Sequence, residues 1–209
     1  MSTDPSPISV VVVDDESLVA SSLSTLLDLQ DDLHVVATLG SGEELLDWVA
    51  KNPDSGQTVD VVVMDLQLGG IDGVETAGRL PDGLAVLIVT SHGRPRALKR
   101  ALAHGVLGFL PKTSSAEEFA TAVRTVHAGR RHLDPELAAA AISAGESPLT
   151  DREAEVLEVA GQGGSVEQIA QTVHLAAGTT RNYLSSAMTK TGASTRFEAW
   201  RIARERGWL

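Results

Sequence analysis

Two stretches, ISVVVVDDE at residues 8–16 and VVVMDLQLGGIDG at residues 61–73, each pass from a β-branched run straight into acidic side chains. Apolar runs this continuous fit parallel strands covered on both faces better than half-exposed antiparallel ones. The full runs are residues 8–13 (ISVVVV) and 59–64 (VDVVVM). Three more follow the same pattern, at residues 34–38 (HVVAT), 85–89 (AVLIV) and 106–110 (VLGFL). Between them lie helix-length amphipathic segments at 17–29, 43–51, 73–80, 95–104 and 116–127. In the first, Leu18, Leu23, Leu26 and Leu27 are expected to share one side, and Pro95 suits a first helical turn. Five strands separated by helices imply right-handed crossovers and an open, doubly wound α/β sheet over residues 1–128.

From residue 129 the pattern changes. Asp134, Pro135 and Glu136 read as an N-cap, a proline at the first helical position and an acid near the positive helix end. A short alanine-rich helix through Ala144 follows, then the turn-rich GESP, so residues 129–148 read as a linker with a short helix. Residues 149–209 hold only helical patterns. Thr150 with Glu153, Ser165 with Gln168, and Thr195 with Glu198 each have capping-box spacing. A fourth helix over 178–191 has no such box, because Ala176, Ala177 and Gly178 stand where a cap belongs. The expectation is a small all-α domain of four helices.

Composition narrows the function classes. The 209 residues carry 17 bases and 28 acids, a net charge of −11, which argues against a generic polyanion or membrane-surface binder. There is no cysteine, so disulfides, thiol catalysis and Cys-based metal sites are excluded. The opening MSTDPSPIS lacks a basic residue and an apolar core, and no run approaches the ~20 apolar residues of a membrane helix. A soluble, cytoplasmic protein without a membrane partner is expected. The charge is uneven: residues 1–128 hold 18 acids and 8 bases, whereas 149–209 hold 7 of each. No acid falls between Gln168 and Phe197, a window that contains Arg181, Lys190 and Arg196. A polyanion would meet the chain through such a window.

In open α/β sheets the ligand site lies beyond the carboxyl ends of the strands. The polar residues there are Asp14, Asp15 and Glu16 after the first run and Asp65 after the third. Thr90 and Ser91 follow the fourth, and Lys112 comes just past the fifth. Carboxylates brought together repel unless a cation sits among them, and a hard oxygen site with few protein donors suits Mg2+. A hydroxyl and an ammonium beside that metal suit the oxygens of a phosphoryl group.

VVVDDE, VVVMDLQLGGIDG, LIVTS and GFLPK together resemble the receiver domain of bacterial two-component response regulators, over about the first 125 residues. The resemblance implies a flavodoxin-like five-stranded fold of order 2-1-3-4-5. It makes Asp65 the phosphate-accepting nucleophile, with Thr90 and Lys112 binding the phosphoryl oxygens. Asp15 becomes a direct Mg2+ ligand and Asp14 one through water, with Asp65 and the Gln67 carbonyl completing the protein's share. Phe109 matches the aromatic switch position. Two departures are Gly69, where the family often has proline, and Pro111, where an apolar residue usually precedes the lysine.

LTDREAEVL at residues 149–157 and GTTRNYLSSAMTKTGAS at residues 178–194 resemble the LuxR-type helix-turn-helix, and with the receiver give the NarL/FixJ class. In that motif the second helix enters the major groove by its N-terminal part. Thr180, Leu184, Ala187 and Thr191 are expected to form its buried stripe. Thr179, Arg181, Asn182, Ser185, Ser186 and Thr189 are then left outward. Arg181, Asn182 and Ser185 match base readers, and Lys190 and Arg196 are assigned to phosphates.

The class implies a transcription regulator phosphorylated at Asp65 by a sensor histidine kinase. Thr90 would move, Phe109 turn inward, and a homodimer bind double-stranded promoter DNA. The chain would then be no enzyme beyond its own phosphoryl transfer and dephosphorylation. Three rivals stand beside this reading: a phosphorylation-independent dimeric regulator with a vestigial receiver, a Mg2+-dependent phosphatase with an aspartate nucleophile, and a tail that binds protein rather than DNA. His92 is a candidate modulator of dephosphorylation. The basic run Arg94, Arg96, Lys99 and Arg100 reads as a solvated helix face, with a receiver contact as its alternative.

Overall fold

The computed structural model describes residues 6–51, 59–91 and 95–209; His92 and Arg94 lie outside the described residues. The chain divides into two compact units, the first ending at Pro135 and the second taking in Glu136–Leu209.

The first unit alternates strand and helix. Its elements are β1 (Ile8–Val13), α1 (Ser17–Asp28), β2 (Leu33–Leu39), α2 (Gly42–Lys51), β3 (Val61–Asp65), α3 (Gly73–Ala77), β4 (Ala85–Thr90), α4 (Pro95–Ala103), β5 (Gly108–Pro111) and α5 (Ala116–His127). The sheet is parallel, in the order β2-β1-β3-β4-β5 that was expected, and is extended by a sixth strand, β6 (His132–Leu133). This strand was not foreseen. Two residues are too short to show a period; what makes them a strand is the open edge of β5. There the His132 N–H bonds the Leu107 carbonyl and the Asp134 N–H bonds the Phe109 carbonyl.

Every residue of β3 and β4 is buried, as strands covered on both faces must be, whereas β2 at the edge is only half-buried. The core joins Val10, Val12, Val61, Val63, Leu87 and Val89 of the sheet to Leu23 and Leu27 of α1 and to Phe119, Val123 and Val126 of α5.

Two local expectations need correction. Leu18 is 78% exposed and Leu26 is partly so, leaving Ala20, Leu23 and Leu27 as the inner face of α1. Five residues separate Leu18 from Leu23, about 140° around a helix of 3.6 residues per turn, so the two cannot share a narrow stripe. Helix α3 was read to Leu80 but is regular only to Ala77. The Arg79 and Leu80 N–H groups close tighter bonds three residues back, to Thr76 and Ala77, ahead of the helix-disfavouring Pro81.

In the second unit, α6 (Pro135–Ser143) precedes α7 (Asp151–Gly161), α8 (Val166–Thr172), α9 (Ala177–Thr191) and α10 (Arg196–Glu205). Its core gathers Leu149, Val156, Leu157, Ile169, Val173, Leu184, Ala187, Ala199, Ala203 and Trp208. The capping boxes at Thr150 and Ser165 form completely. At α10 only half of the box forms: Thr195 accepts from the Glu198 N–H, but the Glu198 carboxylate bonds the Ser194 N–H instead. Helix α9 has no side-chain cap at Ala176 and ends at Gly192 in a left-handed conformation. Among the described residues, no helix is long and apolar enough to cross a membrane.

Candidate functional site: a carboxylate pocket and a recognition helix

The parallel sheet delivers its strand ends to one edge, and the chemistry collects there. Asp14 and Asp15 follow β1, Asp65 ends β3, Thr90 ends β4, and Lys112 follows β5. Asp14, Asp65 and Thr90 are buried, while Asp15 is exposed. One carboxylate oxygen from each of Asp14, Asp15 and Asp65 lies within 4.8 Å of the others. Three hard oxygen donors at this spacing fit a small divalent cation, and the exposed Asp15 leaves one side of the cluster open to water, which Mg2+ retains.

Lys112 reaches into the same cluster. Its Nζ stands 2.7 Å from Asp14 Oδ2, 3.1 Å from Asp65 Oδ2 and 3.3 Å from Glu16 Oε1. Burial by itself would lower the lysine's pKa, yet its close pairing with the Asp14 and Asp65 carboxylates outweighs that and holds it above the ordinary range. Asp65 is pushed up from the usual carboxylate value, chiefly by burial, against the opposing pull of Lys112; the neighbouring Asp14 charge adds to the rise. The Gln67 N–H also bonds the Asp65 carboxylate. The Lys112 N–H bonds the Thr90 carbonyl at 2.7 Å, which ties the lysine loop to the end of β4.

Phe109 was expected to turn inward as a switch. Its side chain is already fully enclosed, the largest such side chain among the described residues. A Cβ at Gly69 would meet Asp15 Oδ2 at 3.7 Å, an ordinary contact, so space beside Asp15 does not require glycine there.

Two contributors to this site went unread in the sequence. Glu43, at the start of α2, accepts the Ile71 N–H at 3.2 Å and so holds the loop after Asp65 from 28 residues away. Gly73 lets α3 start directly against the Asp65 backbone, since a Cβ there would overlap the Asp65 carbonyl oxygen. Only the GIDG turn signal hinted at the second, and nothing local signals the first.

In the second unit, Thr180, Leu184 and Ala187 form the buried stripe of α9, with Thr191 half-buried beside them. Thr179, Arg181, Asn182, Ser185 and Thr189 are exposed. Arg181 stands 3.8 Å from Glu167 of α8, an exposed and therefore weak pair. The other cations are more engaged than the sequence suggested. Lys190 Nζ bonds Glu153 Oε2 at 2.7 Å, and an Arg196 guanidinium N–H bonds the Gly164 carbonyl at 2.7 Å. Ser186, read as outward, turns to Glu153 and bonds its Oε1 at 2.6 Å. Between α8 and α9 the chain turns through His174, at φ 52°, a left-handed conformation that glycine or asparagine would signal and histidine does not.

These two arrangements in one chain match known families. Residues 10–124 match the response regulator receiver domain, and residues 147–203 match the bacterial regulatory proteins of the luxR family. The transcriptional regulatory protein DesR of Bacillus subtilis is 38% identical over 203 residues, covering 97% of this chain and 99% of DesR. UhpA of Escherichia coli, also a transcriptional regulatory protein, is 36% identical over 191 residues, covering 91% and 95%. Among solved structures, the response regulator ChrA of a heme-sensing two-component system is 30% identical, covering 98% of this chain and all of that one, with a TM-score of 0.56. RcsB of Salmonella typhimurium, at 20% identity and a TM-score of 0.72 over 97% of this chain and 99% of that one, shares the fold.

The chain belongs to the response regulators that join a receiver domain to a luxR-type DNA-binding domain. Its relatives are transcription regulators of the NarL/LuxR type, and the six-stranded receiver sheet and the helix-turn-helix place it among them.

Proposed function

We propose that this protein is a cytoplasmic transcription regulator switched by phosphorylation of Asp65 from a sensor histidine kinase. The observation that carries the reading is the convergence of Asp14, Asp15, Asp65 and Lys112 from three separate strand ends. A carboxylate is a weak nucleophile, and it accepts a phosphoryl group only where charge on the transferring oxygens is neutralised. Asp14, Asp15, Asp65 and the Gln67 carbonyl would hold Mg2+, which when bound supplies part of that neutralisation. Lys112 and Thr90 supply the rest. An Asp65 carboxylate oxygen attacks the phosphorus of a phosphohistidine in line. The P–O bond forms as the P–N bond breaks, and the departing imidazole keeps the electron pair and takes up a proton.

The phosphoryl group brings about −1.5 to −2 charges to the end of β3, beside Thr90. The proposed switch couples movement of Thr90 toward the phosphoryl group to the inward position of Phe109, the position its enclosed ring holds in this structure. Residues 1–128 act as receiver, 129–148 as linker and 149–209 as the DNA-binding part. A phosphorylated homodimer places two α9 helices on half-sites about one DNA turn apart. Thr179, Arg181, Asn182 and Ser185 face the promoter bases and Arg196 the backbone. Arginine reading guanine and asparagine reading adenine are each worth ~1–3 kcal/mol of discrimination.

Phosphate incorporation from acetyl phosphate tests the switch, with sedimentation and binding to fragmented genomic DNA followed in parallel. Labelling that is lost in Asp65→Ala, with a shift to dimer and tighter DNA binding, is the expected result. Labelling unchanged in Asp65→Ala overturns the acceptor. A monomer fraction and a DNA affinity both indifferent to phosphorylation overturn the switch.

A further inference from the structure

The second unit carries a buried charge that DNA reading does not itself require. Glu153, in the first turn of α7, is 5% exposed. Its Oε1 accepts the Ser186 hydroxyl at 2.6 Å. Its Oε2 accepts the Thr150 N–H at 2.7 Å and the Lys190 ammonium at 2.7 Å. Both oxygens are therefore satisfied, and two of the three donors come from α9. Ser186 and Lys190 are one helical turn apart and border the buried stripe of Thr180, Leu184 and Ala187. A carboxylate held at two points on one side of a helix resists rotation of that helix about its own axis. Apolar packing of Leu184 and Ala187 alone, which is non-directional, constrains rotation less tightly.

We infer that Glu153 withdraws Lys190 from the DNA-facing charges and uses it, with Ser186, to fix the rotation of α9. Both are positioning residues. Lys190 is the only lysine of the helix, and its ammonium is spent on an internal carboxylate, so the outward face of α9 is left with Arg181 as its sole cation. Sequence-independent attraction to phosphates is thereby kept low on the helix that reads bases. In an acidic chain with so few cations near the groove, that favours discrimination over raw affinity. The inference rests on the DNA-binding reading above and adds to it which cation stays out.

The test uses the full-length protein and a 30-base-pair duplex of random sequence, with binding measured across a range of NaCl concentrations. Each phosphate neutralised contributes about 0.9 to the slope of log affinity against log salt. Lys190→Gln keeps a donor toward Glu153 and is expected to leave the wild-type slope unchanged. Glu153→Gln releases the ammonium and is expected to steepen the slope by about 0.9. The double variant Glu153→Gln with Lys190→Gln is expected to return to the wild-type slope. A merely loosened domain would bind more weakly at every salt concentration without steepening. A shallower slope in Lys190→Gln overturns the inference, as does an unsteepened slope in a folded Glu153→Gln. Should Glu153→Gln fail to fold, the Lys190→Gln slope still decides. No salt-dependent binding by the wild-type chain would overturn the DNA-binding reading itself, an outcome distinct from either.

Discussion

Gly73 and Asp65 are packed backbone to backbone: the first residue of α3 lies where its missing side chain would overlap the Asp65 carbonyl oxygen, and its N–H bonds the carbonyl of Leu66 at 3.0 Å. Atoms of the peptide chain, unlike the tip of a flexible side chain, cannot swing aside. Gly73→Ala is therefore expected to shift the end of β3 and move the Asp65 carboxylate from Lys112. Overpacking of this kind costs roughly 1–3 kcal/mol. The expected outcome is a folded protein, less stable by that amount, whose labelling by acetyl phosphate is slowed at least tenfold. Labelling at the wild-type rate would show that the loop absorbs the methyl group.

Asp15 separates metal binding from folding. It is exposed, unlike Asp14 and Asp65, so replacing it removes a ligand without leaving a buried group unpaired. A ligand that binds only the folded state stabilises it by RT ln(1 + [L]/Kd), about 1.4 kcal/mol at ten times the dissociation constant. Calorimetric melting of the wild type is expected to rise in temperature with added MgCl2 and to fall back in excess EDTA. Asp15→Asn is expected to melt close to the wild type in EDTA and to respond weakly or not at all to MgCl2. An equal response in the variant would remove Asp15 from the ligand set.

Glu153 predicts an acid limit for the second unit. Burial alone would raise its pKa, but hydrogen bonds from Lys190, Ser186 and the Thr150 N–H overcome this and bring it to about 2, against an ordinary 4.5. A folded-state value below the unfolded one gives stability that is complete above about pH 4.5 and is lost as pH falls toward 2. The difference corresponds to about 3 kcal/mol, as an upper figure. Tryptophan fluorescence reads this unit through Trp200 and Trp208 once Trp48 is replaced by Phe. In that background, Glu153→Gln is expected to lower stability at pH 7 and to flatten its decline between pH 4.5 and 2. A decline of the same depth with Gln at 153 would assign the acid sensitivity to other carboxylates.

How much of this could be read from the chain depended on whether the deciding interaction was local. Val10–Val13 and Val61–Met64 announce buried strands through composition, and Asp14, Asp65, Thr90 and Lys112 announce a shared edge because parallel strands all end there. Thr150 and Ser165 announce their helices because a capping box spans only three residues. β6 was invisible, since His132 and Leu133 become a strand only by finding the free edge of β5. Glu43 was invisible for the same reason, its bond to Ile71 crossing from the first turn of α2 to the loop after β3. Glu153 was legible in one role and not in the other. Its cap on Thr150 lies three residues back, whereas its partners on α9 lie 33 and 37 residues ahead. Leu18 failed for a different reason, because leucine content was read as a face although the helical angle placed it outside.

The start of α9 yields the last prediction. Ala176 offers no side-chain acceptor, so the N–H groups of Ala177, Gly178 and Thr179 have no cap from that position. Such groups, together with the positive end of the helix, favour an anion, and a DNA phosphate is the anion the proposed function brings to this place. Amide hydrogen exchange at residues 177–179 is expected to be fast in the protein alone and to slow at least tenfold in complex with DNA. Ala176→Ser would add a cap worth about 1 kcal/mol, and is expected to slow the same amides in the absence of DNA. If the phosphate fills the position, the variant gains stability but narrows the protection that DNA confers. Exchange at residues 177–179 that is indifferent to DNA in the wild type would place the phosphate elsewhere and leave the first turn of α9 simply uncapped.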